Sequence, residues 1–250
     1  MVGTSIIFNF YRTERLRLYA DDTAIISQAA NPSTCTEKIQ FYLNKLQTWL
    51  KLWRISINPE KSAAIVFKKG NYKNKLPNLT LRNKNIPWAK STKYLGIIID
   101  SKLNFNQHLL EVQRKFKKRL CFLMPLLKRT SMLNLRNKRL VYLQFLRPLL
   151  LYACEVWGAT STRNINNLQL LQNRALRIIA SAPVYIPRRV LHDDLRIPSI
   201  PNQIRKNSVN FQKSVRLHSN PSIQQQTDPG PSTTYRFPHL ATQCPRLFPD

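Results

Sequence analysis

The sequence predicts an α+β chain, with mixed strands and helix to about residue 101, a basic helical bundle over 102–205 and a largely disordered tail over 206–250. Three observations carry this prediction. Short β-branched runs bounded by turn residues occupy the first segment, and apolar residues recur at helical spacing from Phe105 to Ala180. Pro, Ser, Gln and Thr then crowd the chain from about Asn220, with few apolar residues to pay for ordering.

In the first segment, Leu16–Ala20 and Thr23–Ser27 read as strands on either side of Asp21-Asp22, a hairpin whose tip would carry both carboxylates. Asn31-Pro32-Ser33 breaks the chain, and Thr34 with Glu37 forms a capping-box signature for a helix. That helix has one apolar face, made of Ile39, Leu43, Leu46, Trp49 or Leu50, and Trp53, to lay against a sheet. Ile55, Ile57 and Ala63–Phe67 follow as strands around a turn at Asn58-Pro59 that presents Glu60 and Lys61. Lys68–Asn85 is a polar surface loop or hairpin. Tyr94–Asp100 reads as a buried strand, with Gly96 where backbone or substrate comes close.

The helical segment begins with a stripe of Phe105, Leu109, Val112, Phe116, Leu120 and Leu123, which Pro125 should end. Leu133–Cys154 is a second helical stretch, kinked or divided near Pro148. Asn164–Ala180 is a third, with Leu168, Leu171, Ala175 and Ile178 inward and Arg174 and Arg177 on another face. A short helix around Arg188–Leu195 closes the series, with Asp193 and Asp194 as surface or capping residues.

Charge narrows the function classes. Forty Lys and Arg stand against twelve Asp and Glu in 250 residues, a net charge of +28, which calls for a polyanionic partner. Nucleic acid leads and an anionic membrane surface competes. The most apolar stretch, Pro148–Cys154, is far short of the about 20 residues a spanning helix needs. MVGTSIIFNFYRTER has neither a charged leader region nor a cleavage site, so the expectation is an intracellular chain, in cytoplasm or nucleus, without a membrane partner. The four cysteines are scattered, which argues against disulfides and zinc fingers and makes three of them small core residues. His108 and His192 lack ligand spacing.

From Val112 to Cys154 there is no acidic residue and there are eleven basic ones. Solvated helix faces usually mix the two signs, so Arg114, Lys115, Lys117, Lys118 and Arg119 are read as phosphate-facing, against the alternative of a plain solvated face. Trp49, Trp53 and Trp157 fall at apolar periodic positions and are assigned to the core, while Trp88, near Lys84 and Lys90, is the tryptophan to test for nucleic-acid contact.

The doublet Asp21-Asp22 has two readings. Adjacent aspartates are common in turns, where they bond nearby amides. They also suit Mg²⁺, which takes oxygen ligands and shares itself with substrate phosphates in two-metal phosphoryl transfer. That chemistry needs a further carboxylate from a neighbouring strand. Upstream only Glu14 is available, too close in sequence to lie on a separate strand.

Tyr19-Ala20-Asp21-Asp22 resembles the YADD box, motif C of reverse transcriptases, and LYADDTAIIS resembles the non-LTR retrotransposon polymerases of the jockey-like, LINE-type group. Further segments resemble that family in the expected order: INPEKSAAIVF (57–67) its motif D, KYLGIIID (93–100) its primer-grip hairpin, and YACEVWGA with LQLLQNRALRIIASAP its thumb and the segment beyond. RVLHDDLRIPSI (189–200) resembles its region downstream of the polymerase, so the resemblance covers roughly residues 16 to 205. It implies a partial polymerase palm over 1–101 and a thumb with post-thumb region over 102–205. It implies Asp21 and Asp22 as catalytic Mg²⁺ ligands, Tyr19 and Ala20 beside the nucleotide and primer end, Lys61 as proton donor to pyrophosphate, and Gly96 in the primer grip. The partners it implies are an RNA template, an RNA/DNA or DNA duplex, and dNTP. The family places a first catalytic Asp and a glycine-rich PQG-type motif before the box, and the eighteen residues before Tyr19 contain neither. The expectation is therefore a truncated RNA-directed DNA polymerase, inactive alone. The alternative is a non-catalytic basic nucleic-acid-binding module derived from the thumb.

Overall fold

The computed structural model describes residues 4–7, 15–19, 22–27, 29, 31–67, 76–220 and 223. The rest, including most of the expected tail, Asp21, Glu14 and Cys244, lies outside the described residues. The chain divides into two compact units, residues 1–108 and 109–250, a boundary somewhat later than the one drawn after 101. A mixed α+β arrangement, strands first and helices after, is what the sequence pattern called for.

The first unit is organised by a four-stranded sheet in the order β2-β3-β1-β4. Its strands are β1 (Thr4–Ile7), β2 (Arg15–Tyr19), β3 (Asp22–Ile26) and β4 (Ala63–Ile65). β2 and β3 form an antiparallel hairpin with Tyr19 opposite Asp22, and β1 runs parallel to both β3 and β4. The expected hairpin is there.

Helix α1 (Pro32–Leu52) starts one turn earlier than the capping-box signature suggests. Asn31 is its N-cap and Pro32 opens it, because a proline at the first helical position costs no hydrogen bond and has the right φ already. Thr34 and Glu37 are exposed inside the first turns. The helix buries Cys35, Ile39, Leu43 and Leu50 in one cluster with Ile25 and Ala64 of the sheet and Leu79, Leu81 and Ile86 beyond it. Leu50, not Trp49, completes the stripe. Trp49 and Trp53 are 48% and 66% exposed and lie against each other with ring centroids 6.0 Å apart, so their core assignment is corrected. The apolar face is narrower than their positions suggested, and the two rings cover each other on the outer side.

Two further hairpins complete this unit. β5 (Leu79–Leu81) and β6 (Lys84–Ile86) meet at Arg82-Asn83, both with positive φ, the mirror-image turn that matches strand twist. β7 (Ser91–Tyr94) and β8 (Ile97–Asp100) meet at Leu95-Gly96, at φ 45° and 81°. The single buried strand expected over Tyr94–Asp100 is thus a hairpin, and only Ile97 of its isoleucine run is fully buried. Ile57 is buried but Ile55 is exposed, so the first of the strands expected around Asn58-Pro59 does not form as one. Trp88 bridges beside Ala64 and its indole N–H donates to Pro77 O at 3.2 Å. It is half-buried against the core, which makes it a packing residue rather than an outward stacking platform.

Helix α2 (Asn106–Leu127) opens the helical part of the chain, entered through a loop that Asp100 holds. That carboxylate accepts from the Lys102, Asn104 and Phe105 amides at 3.0, 3.1 and 2.6 Å. Leu109, Val112, Phe116, Leu120 and Leu123 are buried as the spacing requires. Pro125 does not end the helix, which continues to the fully buried Leu127. The anchoring of that leucine outweighs the one backbone bond that proline removes near a helix end.

The stretch expected over Leu133–Cys154 is divided. It comprises α3 (Leu135–Val141), a π-helical turn at Tyr142–Leu146, α4 (Arg147–Leu151) and the short α5 (Cys154–Trp157). Pro148 sits in the first turn of α4, where the ladder is already reset by the π turn. Then come α6 (Thr162–Ile179), α7 (Arg188–Leu195) and α8 (Ile200–Arg216). The tail assigned from 206 instead begins as the second half of α8, which buries Ile200 and Ile204 and is capped by Ser199. Trp157 is fully buried, as its periodicity requires, and donates to Tyr152 O at 2.8 Å. Cys35 and Cys154 are buried while Cys121 is exposed, so two rather than three of the described cysteines are core residues. Burial pushes the Cys154 thiol up to about 12, which leaves it un-ionised and inert at neutral pH.

A polar network ties α6 to the α7–α8 connection. Gln172 Nε2 donates to the Tyr142 hydroxyl and to Pro198 O, both at 3.0 Å, and Gln169 Oε1 accepts from the Ile200 amide at 2.7 Å. His192 lies in the same network, donating through Nδ1 to Ile197 O at 2.7 Å, with Nε2 facing Asn173 and Gln169. It is a structural histidine. Asp193 and Asp194 are exposed.

Gly158 permits the turn after α5 to reach α8: a Cβ there would lie 2.5 Å from Cys154 O and 2.6 Å from Ile204. Gly158→Ala should therefore destabilise the second unit by about 1–3 kcal/mol, the usual cost of overpacking. Urea unfolding followed by circular dichroism would read it as a lower midpoint at unchanged slope.

Candidate functional site

Tight pairing places the acidic tip. Tyr19 is the last residue of β2 and Asp22 the first of β3, so Ala20 and Asp21 are the two-residue connection, and both lie outside the described residues. Asp22 is half-exposed, and among the described residues its carboxylate has no ion-pair partner. A carboxylate so placed is a suitable hard-oxygen donor for Mg²⁺. One donor is not a site, and among the described residues no three His, Cys, Asp or Glu side chains gather as a metal would need.

The sheet register shows where a further carboxylate would have to come from. On its other side β3 pairs with β1, Thr4 opposite Thr23 and Ser5 opposite Ala24. β1 reads TSII and carries no carboxylate. β4 lies one strand further, with Ala63 also opposite Ser5. Since β3, β1 and β4 are parallel, the turn before β4 (Pro59–Lys61) sits at the same edge of the sheet as Asp22, about 10 Å away at two strand spacings. Lys61 is thus brought to the edge that holds the acidic tip. It is exposed, while its neighbour Glu60 pairs with Lys84 at 2.9 Å, a contact that holds the Glu60 carboxyl below its usual range. In open solvent that pair adds little stability.

Gly96 occupies the second position of the β7–β8 turn and is exposed. Its positive φ gives the glycine a sufficient structural reason, apart from any contact with substrate.

The basic residues of α2 are not equivalent. Arg114 grips Glu111 through two bonds at 2.7 and 2.8 Å, and Lys115 approaches the same carboxylate at 3.7 Å. The Arg114 guanidinium holds the Glu111 carboxyl down at about 2, so Glu111 stays charged throughout the neutral range and its one charge is shared by the two cations. Lys117, Lys118 and Arg119 are exposed and have no ion-pair partner among the described residues. Elsewhere the basic run is used inside the fold. Lys138 is buried and donates to Lys128 O at 2.8 Å beyond the end of α2, and Arg139 donates to Leu195 O at 2.6 Å at the end of α7. These roles, with that of Asp100, are not legible in the sequence because a backbone partner, whether carbonyl or amide, leaves no mark in a charge pattern.

These features define a class: an α+β unit carrying an acidic hairpin tip, followed by basic helices. Residues 4–99 match the family model of reverse transcriptase (RNA-dependent DNA polymerase). The chain carries a reverse-transcriptase-like domain related to the jockey, LINE-type retrotransposon polymerases. Over 207 residues it is 32% identical to a probable RNA-directed DNA polymerase from transposon BS of Drosophila melanogaster, covering 83% of this chain and 23% of that protein. It is 30% identical over 202 residues to the RNA-directed DNA polymerase from mobile element jockey of the same species, and 32% to that of Drosophila funebris, each covering 81% of this chain and 22% of the relative. The chain therefore spans under a quarter of the length of these relatives. No solved structure matches it. Among the described residues no helix is long and apolar enough to cross a membrane.

Replacing Gly96 by Ala should lower stability by about 1 kcal/mol, because an L-residue resists that backbone conformation. A drop in melting temperature with unchanged nucleic-acid affinity would assign Gly96 to the turn alone. Affinity lost in proportion beyond the unfolded fraction would assign it to the interface.

Proposed function

We propose that this chain is the part of a retrotransposon reverse transcriptase that runs from the YADD box through a partial palm into a thumb and post-thumb region. Its parent reaction would be RNA-directed nucleotidyl transfer to a primer end from a dNTP. The observation that carries this reading is the family match over 4–99 on a unit whose β2–β3 hairpin pairs Tyr19 with Asp22, the two ends of the YADD sequence. Asp21 and Asp22 would hold Mg²⁺, which when bound would offset the charge of the primer hydroxyl and of the departing pyrophosphate. Tyr19 and Ala20 would flank the nucleotide and primer end. Lys61, at the same sheet edge, would give a proton to pyrophosphate, and the turn at Gly96 would support the primer strand. Arg114, Lys115, Lys117, Lys118 and Arg119 would face the template–primer duplex.

By itself the 250-residue chain should not polymerise. An aspartate pair on one tip cannot hold two ions, and the strand beside it, TSII, brings no carboxylate. Primer extension on an RNA template with Mg²⁺ and dNTPs should yield no product with this chain. Extension by the parent chain that disappears in Asp21→Ala, Asp22→Ala would refute the need for a further carboxylate and leave the polymerase reading stronger.

Lys117, Lys118 and Arg119, exposed and without an ion-pair partner among the described residues, favour a second reading, duplex binding without chemistry. Each phosphate contact releases counterions, with a slope of log affinity on log salt near −0.9 per contact for duplex DNA. Replacing those three by Gln should flatten the slope by about 2–3 in a fluorescence titration. Glu111→Gln should do the reverse, because it releases Arg114 and Lys115. Unchanged slopes in both variants would remove α2 from the interface.

A further inference from the structure

A cleft of about 640 Å³ opens in the second unit between the C-terminal half of α6, the connection after it and the start of α7. Its size falls within the about 300–1,000 Å³ typical of small-ligand sites. Leu170, Val184 and Tyr185 supply apolar and aromatic surface, Arg174, Arg177 and Arg188 supply cations, and no carboxylate lines it. Arg177 is committed to the fold, donating to Pro183 O and, at 3.1 Å, to Ile186 O, which holds the connection in shape. Arg174 and Arg188 are exposed and have no ion-pair partner among the described residues. Tyr185 is 80% exposed, its ring left uncovered beside those charges.

A neutral apolar ligand would leave two guanidinium groups without counter-charge. An inorganic anion would leave the tyrosine ring and the leucine wet. A nucleotide unit satisfies both requirements, since it joins a phosphodiester to a flat π face. We propose that this cleft binds a single-stranded nucleic-acid segment, with Arg174 and Arg188 on backbone phosphates and a base stacked on Tyr185. The inference rests on the nucleic-acid reading above but concerns a site separate from the acidic tip and from the α2 cations. A duplex fits it poorly, because a paired base cannot leave its stack to reach the ring without cost.

The test is fluorescence anisotropy of the full chain with labelled single strands of about 12 nucleotides, rU, rA and dT, with duplex as competitor. The double variant Arg174→Gln, Arg188→Gln should lose about tenfold in affinity and flatten the salt slope by about 1.4, from two contacts on a single strand. Tyr185→Ala should lose at least about fivefold while Tyr185→Phe, which keeps the ring, binds like the parent. Both variant sites are on the surface, and circular dichroism would verify the fold. Parent-like affinity and slope in the arginine variant overturn the proposal, as does parent-like binding by Tyr185→Ala. Binding lost only on changing Lys117, Lys118 and Arg119 would overturn the cleft and leave the polymerase reading intact. Binding lost in the cleft variants, from a chain that never supports extension even with the upstream polymerase segment supplied, would uphold the cleft and remove that reading.

Discussion

Everything in the first unit depends on the burial of one face of α1. Ile39, Leu43 and Leu50 reach Ile25 on β3, Ala64 on β4 and the β5–β6 hairpin at once, so one helix clamps three separate pieces of backbone. Each such side chain is worth about 1.5–3 kcal/mol when buried, enough in sum to fix a sheet whose strands are only three to five residues long. The start of β3 owes its position to that clamp. Ile25 lies three residues from Asp22, and its burial sets which side of β3 faces the helix, so strand alternation puts Asp22 on the other side. Gln40 adds a polar tie, bonding the Thr80 backbone through both amide atoms at 2.8 and 3.0 Å.

In the second unit the cations divide into two populations by what they face. Lys138, Arg139 and Arg177 spend their charge on carbonyl oxygens at helix ends and in a connection, where a cation favours the negative end of the helix dipole. They hold the helices together without any carboxylate, which is why a stretch free of acids still folds. Arg114 and Lys115 share the single charge of Glu111, whereas Lys117, Lys118, Arg119, Arg174 and Arg188 have no ion-pair partner among the described residues. Net charge alone overstates the positive charge left free to meet a polyanion, and the unbalanced subset is the better measure of it.

Much of this was legible in the sequence where a physical signal was local and strong. The hairpin around the doublet, the stripe on α2 and the short α7 follow directly from alternation or 3.6-residue spacing, as does α6 except at its end, where Ile179 is buried and Ile178 only half-buried. The misreadings have specific causes. Trp49 and Trp53 satisfied a periodicity that Leu50 already filled, and a spacing pattern cannot say how wide the buried face is. Tyr94–Asp100 looked like one strand because Leu95 takes a left-handed turn position that its side chain does not advertise. Pro125 was a sound breaker signal overridden by the tertiary burial of Leu127. The second half of α8 is hidden among tail-like residues because its buried residues lie in its first turns, while Val209, Phe211 and Val215 stand apart among polar residues and none of them is buried. The cleft beside Tyr185 had no sequence signature, since its arginines and its tyrosine come from a helix, a connection and the next helix.

Strand order also bounds what the acidic tip can do. A carboxylate pair in sequence guarantees two oxygen donors near one point, while a two-ion site needs donors that converge from different strands. Whether they converge depends on the strand that flanks β3 on the side away from β2, and here that strand, β1, is a run of Thr, Ser and Ile. Lys61 shows the principle from the other side: thirty-nine residues beyond Asp22 in the chain, it comes to the same sheet edge because parallel pairing through β1 aligns the starts of β3 and β4. Composition within one segment cannot supply that alignment. The strand order sets it, so the chemistry of the tip is a property of the sheet and only secondarily of the doublet.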